Sequence, residues 1–91
     1  MKTRRKPQRA RRYEAQVLDI KAALARGLRR RRAAGKISQS RLAARLGSSQ
    51  SRISKIEAGD PAVSLDLLIR ALFAAGATRA DIARAIGSAG G

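Results

Sequence analysis

The hydrophobic pattern between residues 38 and 59 predicts two short amphipathic helices joined by a tight turn. The first helix ends at Leu46 and the second starts after Ser49, with Gly47 in the turn. Ser38 and Ser49 are favourable N-caps for the two helices. The inward faces consist of Leu42, Ala43 and Leu46 in the first helix and of Ile53 and Ile56 in the second. The pair therefore predicts a helix-turn-helix, with the rest of the chain arranged around it.

A long helix is predicted before this unit, because apolar residues recur at steps of three and four, at Tyr13, Val17, Ile20, Leu24 and Leu28. We expect it to run from Tyr13 to Ala34 and to end on Gly35 as a left-handed cap. Gly27 costs roughly 1 kcal/mol relative to alanine in a helix interior. A bend or break there would separate an added amino-terminal helix from the first helix of the domain.

Two further helices are predicted after the unit. Gly59 and Pro61 end the second helix of the pair. Ser64 then caps a fourth helix that ends at Gly76, and its apolar stripe is interpreted as core: Leu65, Leu68, Ile69, Leu72 and Phe73. Thr78 and Asp81 predict a capping-box start for a short fifth helix, with Ile82 and Ile86 as its buried positions.

These patterns divide the chain into four parts and predict an all-α fold. Residues 1–12 are interpreted as a disordered basic arm, 13–27 as an amino-terminal helical extension, 28–87 as a helix-turn-helix DNA-binding domain and 88–91 as a flexible tail. The arm would either follow a minor groove and phosphates or serve only as a solubilising tail with nonspecific attraction for nucleic acid. The length suits one small domain.

The charge distribution adds a partner class to this picture. The net charge is +15, and 18 of the 21 Lys and Arg residues lie in residues 1–55, where Glu14 and Asp19 are the only acids. Such an excess favours nucleic acid as the partner, with an anionic membrane surface as the competitor. No apolar run approaches the roughly 18 residues that span a bilayer. We therefore expect a soluble, cytoplasmic protein associated with the nucleoid and not with a membrane.

The residue types disfavour an enzyme. There is no Cys and no His, so disulfides, thiolate and imidazole metal sites and the usual general base are excluded. The six acidic residues form no paired or metal-ligand pattern. No catalytic residue, metal or cofactor is predicted, and Glu57 is interpreted as a structural partner near the end of the second helix of the pair.

The motif residues resemble a known family over residues 28–77: the Xre-type, lambda-repressor-like and Cro-like helix-turn-helix regulators, which include antitoxins of HigA type. The resemblance rests on Ser38-Gln39, Leu42-Ala43, Leu46-Gly47, Ser49 to Ser51, Ile53-Ser54, Ile56-Glu57, Gly59 and the Leu65-Leu68-Leu72 helix. It implies a five-helix lambda-repressor-like domain, here with an extended amino-terminal helix. It also implies a homodimer that binds a palindromic operator in double-stranded DNA and represses or autoregulates transcription.

The resemblance also implies which residues touch DNA. By matching positions, Gln50, Ser51 and Arg52 would reach base edges in the major groove, with Lys55 one turn later. Gln can pair with adenine and Arg with guanine. The residues expected at phosphates are Ser38, Gln39, Arg41, Ser49, Arg29 and Arg32. For each, the alternative is a solvated surface residue.

Two departures from the family pattern stand out. Arg41 lies where the family often has Glu, and Ser48 replaces a turn residue that is frequently apolar. Arg41 adds positive charge near the expected DNA backbone, and Ser48 loosens the packing expected of the turn.

Three functions remain open from the sequence. The first is a dimeric, sequence-specific repressor. The second is an antitoxin that silences a toxin partner through protein contact and autoregulates its operon. The third is an architectural protein that binds nucleic acid by charge alone. The scarcity of aromatics, Tyr13 and Phe73 only, disfavours a reader of single-stranded RNA.

Overall fold

The structure, a computed structural model, describes residues 8–89 of the chain, with side chains from residue 12 onward. These residues form five helices and no strand: α1 (Gln8–Ala34), α2 (Gln39–Leu46), α3 (Gln50–Glu57), α4 (Leu65–Ala74) and α5 (Arg79–Gly87). The long α1 contacts α3, α4 and α5, while α2 packs on α3 and α4. The predicted all-α class is confirmed.

Helix α1 begins earlier than the sequence pattern predicts. It starts at Gln8 rather than Tyr13, so residues 8–12 of the predicted arm are helical. Gln, Arg and Ala are strong helix formers, and a helix that is already nucleated adds one hydrogen bond for each residue fixed. The remainder of the predicted arm, residues 1–7, lies outside the described residues.

Gly27 does not interrupt α1. The helix runs unbroken through it, and a Cβ atom at Gly27 would lie 3.7 Å from the Cβ atom of Ala85 in α5. Gly27 is therefore part of the α1–α5 contact, and the predicted boundary between the extension and the domain is not marked by a break in the helix.

The carboxyl end of α1 corrects the predicted cap. Lys36, not Gly35, has the left-handed conformation, with φ 55°. The backbone N–H of Lys36 donates to the carbonyl of Ala33 at 3.1 Å, and the N–H of Ile37 donates to that of Arg32 at 3.0 Å. This is a Schellman motif one residue later than predicted. The later end lets Ile37 pack against the core.

The core is aliphatic and lies where all five helices meet. Its largest fully buried side chains are Leu24, Leu28, Leu42, Ile53, Ile56 and Leu68. Leu72 and Ile82 are also buried, as the sequence predicts.

Several positions of the predicted apolar stripes are not buried. Phe73 is 48% exposed and Leu65 and Ile86 are each 39% exposed, while Tyr13 and Val17 in α1 are also exposed. The three-and-four spacing identifies one side of a helix, but it does not show how far the neighbouring helices extend along that side. The interpretation of Leu65, Phe73 and Ile86 as buried was therefore wrong.

The predicted capping box at the start of α5 is confirmed. The N–H of Asp81 donates to Thr78 Oγ1 at 3.1 Å, and the N–H of Thr78 donates to Asp81 Oδ2 at 2.8 Å. The hydrogen bond from the Thr78 backbone is the main reason that the pKa of Asp81 lies below its ordinary value.

Candidate nucleic-acid interface

The turn between α2 and α3 has the local chemistry that the sequence predicts. Gly47 ends α2 with φ 68°, a conformation that favours glycine. The N–H of Ser48 donates to the carbonyl of Ala43 at 2.8 Å. Ser49 Oγ accepts the N–H of Arg52 at 3.1 Å and so caps α3. These bonds fix the direction in which α3 leaves the turn.

Helix α3 has a buried face and an opposite polar face. Ile53, Ile56 and Glu57 are buried. At 100° per residue, Ser51 and Lys55 lie opposite these three positions. Arg52 borders this face, whereas Gln50 lies on the same side of the helix as Glu57, two turns earlier. All four predicted base-contacting residues are exposed. The structure therefore places Ser51, Arg52 and Lys55 on one accessible helix surface, with Gln50 exposed at the start of the helix.

Ser54 belongs to this outward face, although it is not among the predicted base-contacting residues. It is exposed, and it lies on the same side of α3 as Ser51. The signal was present in the sequence, because Ile53 and Ile56 define the inward side and thereby place Ser54 opposite them.

A shallow groove beside α3 adds residues that sequence reasoning missed. It is lined by Arg52 and Lys55 on α3, by Asp60 in the following loop and by Ser64 at the start of α4. Asp60 Oδ1 accepts the N–H of Ala62 at 2.9 Å, which holds the loop in a turn. Ser64 was predicted only as a helix cap, but its position also borders the surface that α3 presents.

The residues predicted at phosphates fall into two groups. Ser38, Arg41 and Ser49 are exposed at the amino ends of α2 and α3. Ser38 Oγ accepts the N–H of Arg41 at 3.0 Å. Helix starts of this kind present unpaired backbone N–H groups and a positive dipole end, which favour anions.

The second group, Arg29, Arg32 and Gln39, converges on Glu57 at the end of α3. Arg32 forms a two-point ion pair with the Glu57 carboxylate, with Nη2 at 2.9 Å from Oε1. Gln39 Nε2 donates to the same oxygen at 3.1 Å, and Arg29 Nη1 donates to the Glu57 carbonyl at 2.8 Å. Arg32 also donates to the carbonyl of Ile37 at 3.0 Å. These side chains tie α1 and α2 to α3, and the structural role predicted for Glu57 is confirmed.

The comparisons with known proteins identify the family of one segment of the chain. Residues 28–72 match the family model for helix-turn-helix domains of the Xre and lambda-repressor type. Those residues form an Xre-type helix-turn-helix domain. The match supports a DNA-binding transcriptional regulator, a class that is not typically enzymatic. No curated protein and no solved structure gives a significant match.

The Xre-type domain holds α3 through a buried charge. Glu57 is only 4% exposed. Burial acts to raise the pKa of its carboxyl, but the hydrogen bonds from Arg32 and Gln39 and the charges of Arg32 and Arg29 outweigh burial, so the pKa lies below its ordinary value. The pKa of Arg32 is raised, mainly by its hydrogen bond to Glu57. Both groups are therefore charged at neutral pH, and the bridge is a salt bridge.

The described helices of the protein, within residues 8–89, include none that is long and apolar enough to cross a membrane.

Proposed function

We propose that the protein is a sequence-specific repressor that reads double-stranded DNA by inserting α3 into the major groove. The observation that carries this proposal is the exposed polar face of α3 within an Xre-type domain. An α-helix fits the major groove, where each base pair presents its own pattern of donors and acceptors. As a repressor it would act on the nucleoid, in the cytoplasm.

Four side chains of α3 supply base recognition in this proposal. Gln50 pairs with adenine and Arg52 with guanine, each through two hydrogen bonds. Ser51 contacts either base type, and Lys55 reaches a base or a phosphate one turn later. The exposure of all four side chains on α3 supports these roles.

The phosphate contacts divide according to what each side chain already binds. Ser38, Arg41 and Ser49 meet the DNA backbone at the amino ends of α2 and α3, where anions are favoured. Arg29, Arg32 and Gln39 are bonded to Glu57. Their main contribution is to hold α3 at a fixed angle, and any contact with phosphate is additional to that role.

The repressor acts as a symmetric homodimer on a palindromic operator. Half-sites read by two such domains lie about one helical turn, ~34 Å, apart. The symmetry of the protein is then matched by the symmetry of the operator.

The recognition role of α3 is tested by a matched pair of arginine substitutions. Arg52→Ala should cost roughly 1 to 3 kcal/mol at the cognate operator and little on random duplex DNA. Arg79→Ala, an exposed arginine on α5, removes the same charge and should weaken both complexes slightly and equally. Binding measured by fluorescence anisotropy with both duplexes gives the comparison. Equal losses for Arg52→Ala on the two duplexes would show that α3 does not read sequence.

A second candidate function, that of an antitoxin, is favoured by one observation. Leu65, Ile69 and Phe73 recur at steps of four on α4; Leu65 and Phe73 are exposed, and Ile69 is half-buried. An apolar strip of this kind suits contact with a partner protein. Co-expression with a small toxin encoded by a neighbouring gene tests it: a stable complex that Phe73→Ser disrupts supports the antitoxin role, and separate elution of the two proteins contradicts it.

A further inference from the structure

A cleft lies between the carboxyl half of α1 and α5, and its volume is about 310 Å³. Gly27, Arg30 and Arg31 line it from α1, and Asp81, Arg84 and Ser88 line it from α5. Spacings of three, four and seven residues place each set on one side of its helix. The volume lies at the low end of the range for small-molecule pockets, about 300 to 1,000 Å³. The cleft is therefore large enough for a small ligand.

The cleft has an excess of positive charge, because Arg30, Arg31 and Arg84 line it with Asp81 as the acid. Three cations and one anion leave a net charge of +2. Hydrogen bonds from Thr78 and the nearby charges of Arg84 and Arg31 lower the pKa of Asp81. The carboxyl is therefore ionised at neutral pH, and arginines from both helices lie within electrostatic reach of it.

The three arginines retain hydrogen-bond donors that the fold does not use. Arg30 has no hydrogen-bond or ion-pair partner among residues 12–89. Arg31 Nε donates to the carbonyl of Ala75 at the long distance of 3.4 Å. Arg84 donates to Asp81 through Nη2. A guanidinium carries five N–H donors in a planar fork that fits the oxygens of phosphate or carboxylate. Both walls of the cleft therefore present free donors to an anion.

Gly27 leaves room in the cleft that packing alone does not require. Glycine is less favourable than alanine in the interior of a helix. A Cβ atom at Gly27 would lie 3.7 Å from the Cβ atom of Ala85, which is an ordinary van der Waals contact. The packing of α1 on α5 would therefore accept alanine. Without a side chain at this position, a ligand can approach the backbone of α1 closely.

The charge of the cleft fits a phosphate dianion better than a carboxylate. A phosphate monoester carries a charge of about −1.5 to −2 at pH 7 and three strong acceptor oxygens. That charge balances the net +2 of the lining residues, and three oxygens can meet three guanidinium groups. A single carboxylate has half the charge and two oxygens, so it would leave one arginine uncompensated.

The cleft lies on the side of α1 that faces away from α3. Arg29 and Arg32 of α1 reach towards α3 and bond to Glu57. At 100° per residue, the three α1 residues of the cleft are centred on the opposite side of the helix. A duplex bound along α3 therefore does not fill the cleft. This placement favours a free phosphate compound over a backbone phosphate of the same duplex.

We propose that this cleft binds a small phosphate monoester, held by Arg30 and Arg31 of α1 and by Arg84 of α5. The proposal goes beyond DNA recognition and does not depend on it. Among the described helices, α5 packs mainly on α1, and the arginines on the two walls repel each other without a ligand. A bound dianion removes that repulsion and links α5 to α1. Binding therefore stabilises the folded chain.

Thermal unfolding of the full chain tests the site, with inorganic phosphate as the probe and circular dichroism as the readout. Sodium chloride at equal ionic strength is the reference, because any salt screens a net charge of +15. For a Kd of about 5 mM or less, phosphate at about 50 mM should raise the Tm by roughly 5 °C or more above this reference. Acetate at the same ionic strength should raise it much less. No shift with phosphate, or an equal shift with acetate, overturns the proposal.

A matched pair of double variants locates the site. Arg30→Ala, Arg84→Ala removes one arginine from each wall and should weaken phosphate binding about tenfold or more, as measured by titration calorimetry. Arg26→Ala, Arg79→Ala removes an exposed arginine from each of the same two helices outside the cleft, and it should leave the Kd for phosphate nearly unchanged. Equal weakening in the two variants shows nonspecific attraction to a cationic chain and overturns the site.

The single variant Arg30→Ala protects the test against loss of folding. It keeps the ion pair between Arg84 and Asp81, and Arg30 is exposed, so the helix content should not change. Its Kd for phosphate should still rise severalfold, whereas that of Arg26→Ala should not. An Arg30→Ala chain that binds phosphate like the wild type contradicts the site.

Duplex binding separates a free phosphate ligand from the DNA backbone. Affinity for random duplex DNA, measured by fluorescence anisotropy, should fall equally in the two double variants because each loses two positive charges. A larger loss in Arg30→Ala, Arg84→Ala means that the cleft holds backbone phosphate and overturns the small ligand. The repressor function fails separately. If α3 does not read sequence, Arg52→Ala loses equally on both duplexes while the cleft still binds phosphate.

Discussion

At the scale of single residues, Glu57 ties α3 to α1 and α2. Its carboxylate receives Arg32 from α1 and Gln39 from α2, and its carbonyl receives Arg29. Sequence reasoning predicted that Glu57 is structural, because the acidic residues form no paired or metal-ligand pattern. It did not predict which cations turn inward, since four consecutive arginines cover every side of a helix and only the packing of α3 selects among them.

Replacing Glu57 should destabilise the domain strongly. Glu57→Ala leaves Arg32, which is 20% exposed, without its carboxylate, and losing one partner of a largely buried pair costs roughly 3 to 5 kcal/mol. Urea unfolding followed by circular dichroism measures the loss. Asp66→Ala is the control, because its ion pair with Arg70 is exposed on both sides and such pairs contribute at most about 1 kcal/mol. Equal losses in the two variants would contradict the anchoring role of Glu57.

The pH dependence of stability follows from the lowered pKa of Glu57. A carboxyl whose folded pKa lies below its ordinary value of 4.5 binds its proton more weakly when folded. Its contribution is therefore complete above the unfolded pKa and is lost as the pH falls through the folded pKa. The unfolding free energy of the wild type minus that of Glu57→Gln should be constant from pH 7 to about pH 5.5 and should shrink below about pH 4.5. A difference that grows towards acid would contradict the salt bridge.

At the scale of the elements, the capped starts of α2 to α5 were the most predictable features and the exposed surfaces of the helices the least. Ser38, Ser49, Ser64 and Thr78 each accept a backbone N–H as the cap pattern predicts, because the cap chemistry is contained within four residues. The exposure of Phe73 depends on elements distant in sequence. Local spacing carries no information about where those elements end.

Any side chain at Gly47, in the turn between α2 and α3, should destabilise the domain. Its φ of 68° is unfavourable for an L-residue, so Gly47→Ala should destabilise by about 1 to 2 kcal/mol through backbone strain. Steric contact does not contribute, since nothing lies within 4 Å of the added Cβ.

Gly87→Ala provides the matched control for the turn, measured by the same thermal unfolding. Gly87 also has open space around an added Cβ, and it lies in the last turn of α5. Alanine there should be neutral or stabilise by up to about 1 kcal/mol. A stabilising Gly47→Ala would mean that the turn relaxes out of the left-handed conformation.

At the scale of the whole molecule, the proposed function assigns affinity for DNA to the charge asymmetry and choice of sequence to α3. The sequence predicts this division, because net charge can be counted without a fold. It could not show that Tyr13, Val17 and Leu18 are exposed, because their exposure depends on how far the helices packed on α1 extend along it. The same limit left Arg29 and Arg32 interpreted as phosphate contacts before their bonds to Glu57 were known.

The salt dependence of binding separates these contributions. Removing residues 1–7 deletes Lys2, Arg4, Arg5 and Lys6. If all four meet phosphates, the slope of log K against log salt should fall by about 3 to 4, because each neutralised phosphate contributes about 0.9. The preferred sequence should not change. Filter binding on cognate and random duplexes from 50 to about 300 mM salt measures the salt slope and the sequence preference. Loss of sequence preference on deletion would indicate that the amino terminus, not α3, reads the bases.

The most direct test of the central claim selects DNA from a random duplex library and sequences what is bound. The selection is done in parallel with the wild-type full chain and with the double variant Gln50→Ala, Arg52→Ala. The account predicts that the wild-type chain enriches a palindromic motif and that the double variant loses preference at the base pairs those two side chains read, while still binding duplex DNA. Enrichment of no motif by the wild-type chain, or of the same motif by both proteins, would contradict recognition through α3.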